Sequence, residues 1–226
     1  MTQTISLPPR LAALYKQYEA ANKDYDIIWD TCCDHGYLGQ KILANNRRGQ
    51  LVFVDQVISI TKALSQYLEG QPYTNYTIYT QDLAQLKLAT DKSHLVIVAG
   101  IGGQLIAELL PRLLANNKSP IDFIFCPSTS VYSLRDYLSN NNFGLLAESI
   151  VADNNRFYEV IYARYESTDL EGVSLLGEMW DSNSSDHQRY LKNLMTLYEK
   201  RLLGSKADAA QEVLALYQRC YGDNFN

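Results

Sequence analysis

The sequence predicts a doubly wound, mostly parallel α/β sheet closed by an antiparallel hairpin, with a C-terminal helical hairpin after it. Three observations carry this. Short apolar runs alternate with helix-length stretches from Asp26 to Ser139. The first three runs end at or just before an acid, and the fourth runs into Gly100-Ile101-Gly102-Gly103. After Gly144 the rhythm gives way to two longer stretches joined by Asp153-Asn154-Asn155. Strands and helices alternating at this spacing imply βαβ units and a parallel sheet, wound by right-handed crossovers.

Each element has its own signal. Leu11 to Ala21 reads as a helix behind the Pro8-Pro9 punctuation. Asp26 to Asp30 is a short apolar run closed by an acid, the pattern of a buried strand. Tyr37 to Asn45 follows as a helix, then Leu51 to Asp55 as a second strand and Ser59 to Leu68 as a second such helix. Tyr76 to Tyr79 is the third strand, just ahead of Gln81-Asp82. Leu95 to Ala99 is the fourth, with a helix from Gln104 to Ala115. Ile121 to Cys126 is the fifth, stopped by Pro127, with a helix from Val131 to Ser139. Leu145–Val151 and Phe157–Tyr165 read as the closing hairpin. Beyond Ser167, Tyr190, Leu191, Leu194, Met195, Tyr198 and Leu202 form a helical stripe. Ala207, Ala210, Val213, Leu214 and Tyr217 form another, with Gly204-Ser205 as the break between two antiparallel helices. Residues 1–166 are expected to form the sheet domain and residues 167–226 the helical hairpin.

The composition bounds the function. Apolar residues make up 46% of the 226 and charged residues 20%, the balance of a globular chain. Lys plus Arg is 20 against 25 Asp plus Glu, a net charge of −5. That excludes a domain that grips nucleic acid through a bulk positive field, but leaves room for a local basic patch. No apolar run approaches the roughly 20 residues of a membrane span, and no secretory signal is visible at the start. Cys32, Cys33, Cys126 and Cys220 show no Cys-x-x-Cys spacing. Free thiols in a reducing cytoplasm and no metal site are the expectation.

In an open parallel sheet, ligands bind outside the carboxyl ends of the strands. Asp55, at the second strand end, can accept both hydroxyls of a ribose, because a carboxylate offers two acceptor oxygens. Asp82 can accept from an adenine amino group. The Gly100 to Gly103 loop lets a ligand approach the backbone closely. The first loop, which follows the first strand to Gly36, has one glycine and two acids, Asp30 and Asp34, which argues against a pyrophosphate and suits a sulfonium and an ammonium. Taken singly, a strand-end Asp is ordinarily a helix cap. His35 alone is ordinarily structural, Cys32 and Cys33 small buried residues, and Arg135 a charge on a solvated helix face. Three acids at three successive strand ends favour a ligand.

Asp30-Thr31-Cys32-Cys33-Asp34-His35-Gly36-Tyr37-Leu38 resembles the first loop of the bacterial tRNA (adenine-22-N1)-methyltransferase family, Asp-x-Gly-Ser-Asp-His-Ala-Tyr-Leu. Ala99-Gly100-Ile101-Gly102-Gly103 is similar to that family's Ala-Gly-Met-Gly-Gly. Cys126-Pro127-Ser128 stands where the family has Gln-Pro-Asn, followed by Leu134-Arg135-Asp136-Tyr137-Leu138 for its Leu/Ile-Arg-x-x-Leu helix. Arg10-Leu11 and Phe157-Tyr158-Glu159-Val160-Ile161 match two further motifs, so the resemblance covers nearly the whole chain. It departs at Cys32, Cys33, Cys126 and Ser128.

The resemblance implies a Rossmann-like class I methyltransferase that uses S-adenosylmethionine to methylate N1 of an adenine in tRNA. It implies a cofactor pocket lined by Asp30, Cys32, Asp34, His35, Gly36, Tyr37 and Leu38 from the first loop. Asp55 and Gln56 would join from the second strand end, and Gln81, Asp82 and Leu83 from the third. Ala99, Gly100, Ile101, Gly102 and Gly103 would complete it. Asp34 and His35 are the catalytic candidates. Arg10 and Arg135 are the first candidates for RNA contact, with Lys16, Arg47, Arg48, Arg189, Lys192, Lys200 and Arg201 behind them. A monomer or weak homodimer is expected. The alternatives are a catalytically weakened binding protein on the same fold, motivated by Cys32 and Ser128, and a methyltransferase with another substrate.

Overall fold

The computed structural model describes residues 5–45, 49–115, 117, 119–204 and 207–225. The chain divides into two compact units, Met1–Val173 and Ser174–Asn226.

The first unit is built on a seven-stranded sheet. In chain order its elements are α1 (Pro9–Ala20), β1 (Ile27–Thr31), α2 (Tyr37–Asn45), β2 (Gln50–Asp55), α3 (Ile58–Glu69) and β3 (Tyr76–Thr80). A 3-10 turn at Leu83–Gln85 leads to β4 (His94–Ala99), α4 (Gly103–Leu114), β5 (Ile121–Cys126), α5 (Val131–Ser139), β6 (Phe143–Asp153) and β7 (Arg156–Tyr165). The strand order is β3-β2-β1-β4-β5-β7-β6. The first five strands are parallel, and β7 joins antiparallel to both β5 and β6. Strand order reverses between β1 and β4, which opens a crevice above their carboxyl ends. The register sets Thr31 beside both Val54 and Val98, so β1, β2 and β4 end at one level.

The central strands are buried on both faces, which explains their continuous apolar runs. Ile28, Leu51, Phe53, Leu95, Ile97 and Ile124 form the middle of the core. At the opposite edge from the crevice, buried Asp122 accepts from Tyr25, Lys23 and Arg164. This ties the α1–β1 link to β5 and β7.

The closing hairpin is longer than its apolar pattern predicts. Asn154 and Asn155 both have positive φ, +48° and +62°. They make a two-residue turn whose twist matches that of the strands. The sheet unit also runs past residue 166. Leu145 donates its backbone N–H to Glu171, Val173 donates to Phe143, and Gly144 bridges to Gly172. The strip Ser167–Val173 therefore pairs with the free edge of β6 and shields it.

Arg135 corrects an expectation. It is fully buried, not on a solvated helix face, and so is withdrawn as an RNA contact. Its Nε donates to Glu159 Oε2 at 2.6 Å and its Nη2 to Glu148 Oε2 at 2.6 Å. Glu148 pairs with Ile161, and Ile150 with Glu159, so the two acids are diagonal neighbours on one face of the hairpin. Without a cation between them they would repel.

In the second unit, α6 (Ser185–Arg201) and α7 (Ala207–Phe225) run antiparallel, since Lys192 lies over the Tyr221 ring and Tyr198 packs on Tyr217. Ser184 caps α6 by accepting from the His187 N–H. Leu191, Leu194, Val213 and Leu214 are buried along the seam.

Replacing Arg135 with Met is expected to cost about 3–5 kcal/mol, because it strands two buried carboxylates. Urea denaturation would show this as a lower midpoint. A loss below about 1 kcal/mol would mean the two acids find solvent or protons without it.

Candidate functional site

A cleft of about 630 Å³ opens above the carboxyl ends of β1, β2 and β4. The first loop forms one wall. Its chain reverses through alternating left-handed residues, Cys32 at φ +53°, Asp34 at +49° and Gly36 at +67°. Cys33 donates its N–H to Val54 at 3.2 Å, and Gly36 donates to Cys33 at 2.8 Å. Gln40 Nε2 donates to the His35 carbonyl. These bonds hold a turn that two of its three left-handed residues enter at a steric cost of about 1 kcal/mol each.

Asp30 lies beneath this loop and is almost wholly buried. Its Oδ2 accepts the Gly39 N–H, in the first turn of α2, at 2.9 Å. Burial pushes its carboxyl up to about 7, against the pull of that bond. A Cβ at Gly39 would stand 2.7 Å from Asp30 Oδ2 and 2.3 Å from the Phe53 ring, so only glycine lets α2 come this close.

Asp55 is buried at the end of β2. Its Oδ1 accepts from Val57 N–H at 3.0 Å and its Oδ2 from Asp34 N–H at 3.3 Å. A carboxylate has about four acceptor positions, so each oxygen keeps capacity for a ligand. Asp82 caps the 3-10 turn through Oδ1 and Ala84 N–H, and its Oδ2 is 3.6 Å from Arg112 Nη2. Asp34 and His35 stand at the outer rim, with side chains 70% and 71% exposed and Asp34 Oδ1 3.8 Å from His35 Nε2. The His35 ring lies 5.5 Å from that of Tyr37.

The other expected lining residues divide. Cys32, Tyr37, Leu38, Gln56 and Gln81 line the cleft, as do Leu83, Ala99, Gly100 and Ile101. Gly100 has φ +86° with open space where a Cβ would stand, so a ligand can reach its backbone. Gly36, Gly102 and Gly103 do not line it. Gly36 packs back towards Leu64 and Phe53, and Gly103 donates to the Thr129 carbonyl, which anchors the loop after β5.

Residues missed in the sequence complete the wall: Val57 and Ile60 from the β2–α3 side, and Leu105, Leu109 and Arg112 from α4. The three α4 residues recur at i, i+4 and i+7 directly after the glycine loop and share one helical face, but that spacing does not say whether the face meets the core or a ligand. Val57 and Leu105 are large apolar side chains left exposed in the cleft.

Arg10 lines the mouth, its guanidinium 5.1 Å from the Tyr158 ring centre and its backbone N–H on Asp153. Lys16 is exposed on α1. Arg47 and Arg48 lie outside the described residues. Arg189, Lys192, Lys200 and Arg201 belong to the second unit, where Arg189 pairs with Asp186 and Arg201 lies over Tyr198.

The chemistry follows. Burial, then the charges of Asp55 and Asp30, push the Cys32 thiol up to about 12, so it stays protonated at neutral pH and is no nucleophile. Among the described residues no group of three His, Cys, Asp or Glu is arranged to hold a metal ion. Nor, among them, is any helix long and apolar enough to cross a membrane. Three anchored acids, an open glycine backbone and apolar walls suit a nucleoside that carries positive charge.

Comparison with known proteins bears on this site. A family model described as a methyltransferase domain matches residues 7–161. A Mycoplasma genitalium protein assigned as a tRNA methyltransferase is 25% identical over 140 residues, 60% of this chain and 60% of the relative's own length. The structure of M. capricolum TrmK with its cofactor product S-adenosyl-homocysteine aligns with a TM-score of 0.74 at 22% identity, over 97% of this chain and 99% of that one. The B. subtilis m1A22 tRNA methyltransferase TrmK aligns with a TM-score of 0.73 at 18% identity, over 95% and 98%. At these identities the structural likeness is one of fold.

Asp30 should make stability depend on pH. An unfolded chain ionises it near pH 4, whereas the folded chain keeps its proton until about 7. Its contribution is therefore full below about pH 4 and is lost as pH rises through about 7. Urea unfolding of the wild type and Asp30→Asn at about pH 5 and about pH 8 is expected to show the wild type losing more stability than the variant. Equal losses would refute the burial of an ionisable acid here.

Proposed function

The chain belongs to the family of methyltransferase domains, and from that premise we propose that it moves a methyl group from S-adenosylmethionine to N1 of an unpaired adenine in tRNA. The observation that carries this reading is the set of anchored acids at successive strand ends, facing one cleft. The residues fit the cofactor: Asp55 would hold the ribose hydroxyls, Asp82 the adenine amino group and Asp30 the ammonium end. Val57, Leu83 and Leu109 would flank the adenine ring, and Gly100 leaves backbone open to it. S-adenosylmethionine, when bound, would supply an electrophilic methyl group on its sulfonium; the methyl–sulfur bond would break as the bond to N1 forms, releasing the neutral thioether.

The protein's share of the reaction is alignment and exclusion of water. Adenine N1 carries a free lone pair, so attack needs no strong base. Methylation leaves positive charge on the ring, and Asp34 at the rim is the acid open to it, with His35 beside it. N1 lies on the Watson–Crick edge, so the base must be unpaired or extruded to enter. Arg10 at the mouth would meet the RNA backbone or stack beside the base, and its position over Tyr158 keeps it aimed there. The tRNA named for TrmK and for the Mycoplasma relative supports this choice of substrate.

Calorimetric titration with S-adenosylmethionine and S-adenosylhomocysteine tests the reading, followed by methylation of a tRNA transcript. Micromolar binding is expected. Asp55→Ala is expected to weaken it by about 10- to 100-fold, the range for hydrogen bonds to a charged group. Absence of binding at millimolar ligand would overturn the cofactor assignment. Methylation in which Asp34→Asn matches the wild type would remove Asp34 from the mechanism.

A further inference from the structure

We infer that the groove between α2 and α3 is a second base subsite, which stacks an unpaired nucleotide next to the target adenine; this rests on the tRNA reading above. The groove holds about 360 Å³ and shares Asp34, His35, Tyr37 and Ile60 with the cofactor cleft. These shared residues form a partition, with the cleft on one side and the groove on the other. Tyr37 and Tyr67 line the groove from α2 and α3 and are 49% and 46% exposed, with Ala63 and Leu64 as its apolar floor. Gln40 is an independent sign of a ligand. It lines the groove, yet it is only 3% exposed. Its Nε2 donates to the His35 carbonyl at 2.9 Å, while its Oε1 has no hydrogen-bond partner among the described residues. An acceptor on so enclosed a side chain is costly to leave unbonded.

The occupant must therefore offer an N–H beside a flat apolar body. A nucleobase does both, because its faces stack on aromatic rings and its edge carries an N–H for the Gln40 oxygen. The volume lies at the lower end of the range for small-ligand pockets, which suits one base. Position supports the same occupant. A base that enters the cleft must leave its stack, and the nucleotide beside it then loses a neighbour. The groove lies across a single partition from that cleft. Lys62, exposed on α3 three residues after Ser59 and without an ion pair among the described residues, offers a cation to the phosphate of that nucleotide. Every base has a stacking face and an N–H on its edge, so the subsite tolerates any sequence and registers only that a base is present.

The test is steady-state methylation of a tRNA transcript and of transcripts made abasic at the nucleotide on either side of the target. Tyr67→Ala is expected to raise KM for the intact transcript by about 10-fold, the loss of one stacked base. One of the two abasic transcripts is expected to raise it equally in the wild type, and Tyr67→Ala is expected to add nothing on that transcript. Tyr67→Phe keeps the ring and is expected to restore the wild-type KM. Exchanging the base at that nucleotide for another is expected to shift KM by no more than about twofold. S-adenosylhomocysteine titration of Tyr67→Ala is expected to match the wild type. An unchanged KM for Tyr67→Ala would overturn the inference alone. So would losses that add on both abasic transcripts, which would set Tyr67 against another part of the RNA. Weakened S-adenosylhomocysteine binding would also overturn it, by assigning the groove to the cofactor. A wild type that binds S-adenosylhomocysteine but methylates no transcript overturns the tRNA reading and the inference with it.

Discussion

The carboxylates at the ends of β1, β2 and β3 hold the backbone that follows each strand, and the cleft keeps its shape because they do. Asp30 takes the Gly39 N–H at the start of α2, Asp55 takes Val57 and Asp34, and Asp82 takes Ala84. Each satisfies an N–H that the start of a helix or turn leaves without an intrahelical partner. Capping and ligand recognition are often weighed as rival explanations of a strand-end Asp. In the proposed reading they are successive uses of one side chain. Once an N–H fixes the rotamer, the remaining lone pairs point into the crevice before a ligand arrives. That lowers the ordering cost of binding. Asp55 does this for two segments at once, because its bond to Asp34 fastens the first loop to the end of β2.

The other flank of the sheet depends on a different constraint. A hairpin that returns antiparallel beside β5 sets Glu148 and Glu159 on one face, where two like charges are close neighbours. Arg135 on α5 answers both, giving each carboxylate a cationic donor in the interior. Arginine suits this position because its planar fork gives each carboxylate its own donor. The same residue on a helix pattern reads as solvent-facing, and the acids that recruit it lie 13 and 24 residues further on. No local rule connects them until the strands have paired.

That contrast explains what the sequence discloses and what it withholds. Strand positions are legible because a strand buried on both faces must be apolar throughout, as Leu95 to Val98 are. The strand-end acids are legible because topology dictates where the crevice opens. The turn at Asn154-Asn155 is legible because few residues accept positive φ at both central positions. The α4 wall is not, since Ile106 and Leu110 face the core while Leu105 and Leu109 face the cleft, and all four are aliphatic. Periodicity reports that a helix has apolar residues, not which apolar face meets a ligand. The strip Ser167–Val173 is illegible for a similar reason: its pairing with β6 is made by backbone groups through residues with no strand signal.

Cys32 shows how a departure from a family motif is best read. The position is left-handed at φ +53°, a conformation that glycine enters freely and cysteine does not. Yet the turn forms, because Cys33, Asp34 and Gly36 each donate a backbone hydrogen bond around it. Three such bonds outweigh a steric cost of about 1 kcal/mol. The loop therefore keeps its course, and what changes is the wall. A thiol stands where the motif has no side chain, and burial, then the charges of the neighbouring acids, hold it in its neutral, weakly polar form. The substitution narrows the cleft beside Asp55 and makes that wall more apolar, but it displaces none of the acceptors. Its consequence falls on how closely a ligand fits at the first loop, while the ribose and base recognition proposed for Asp55 and Asp82 rests on acceptors that it leaves in place.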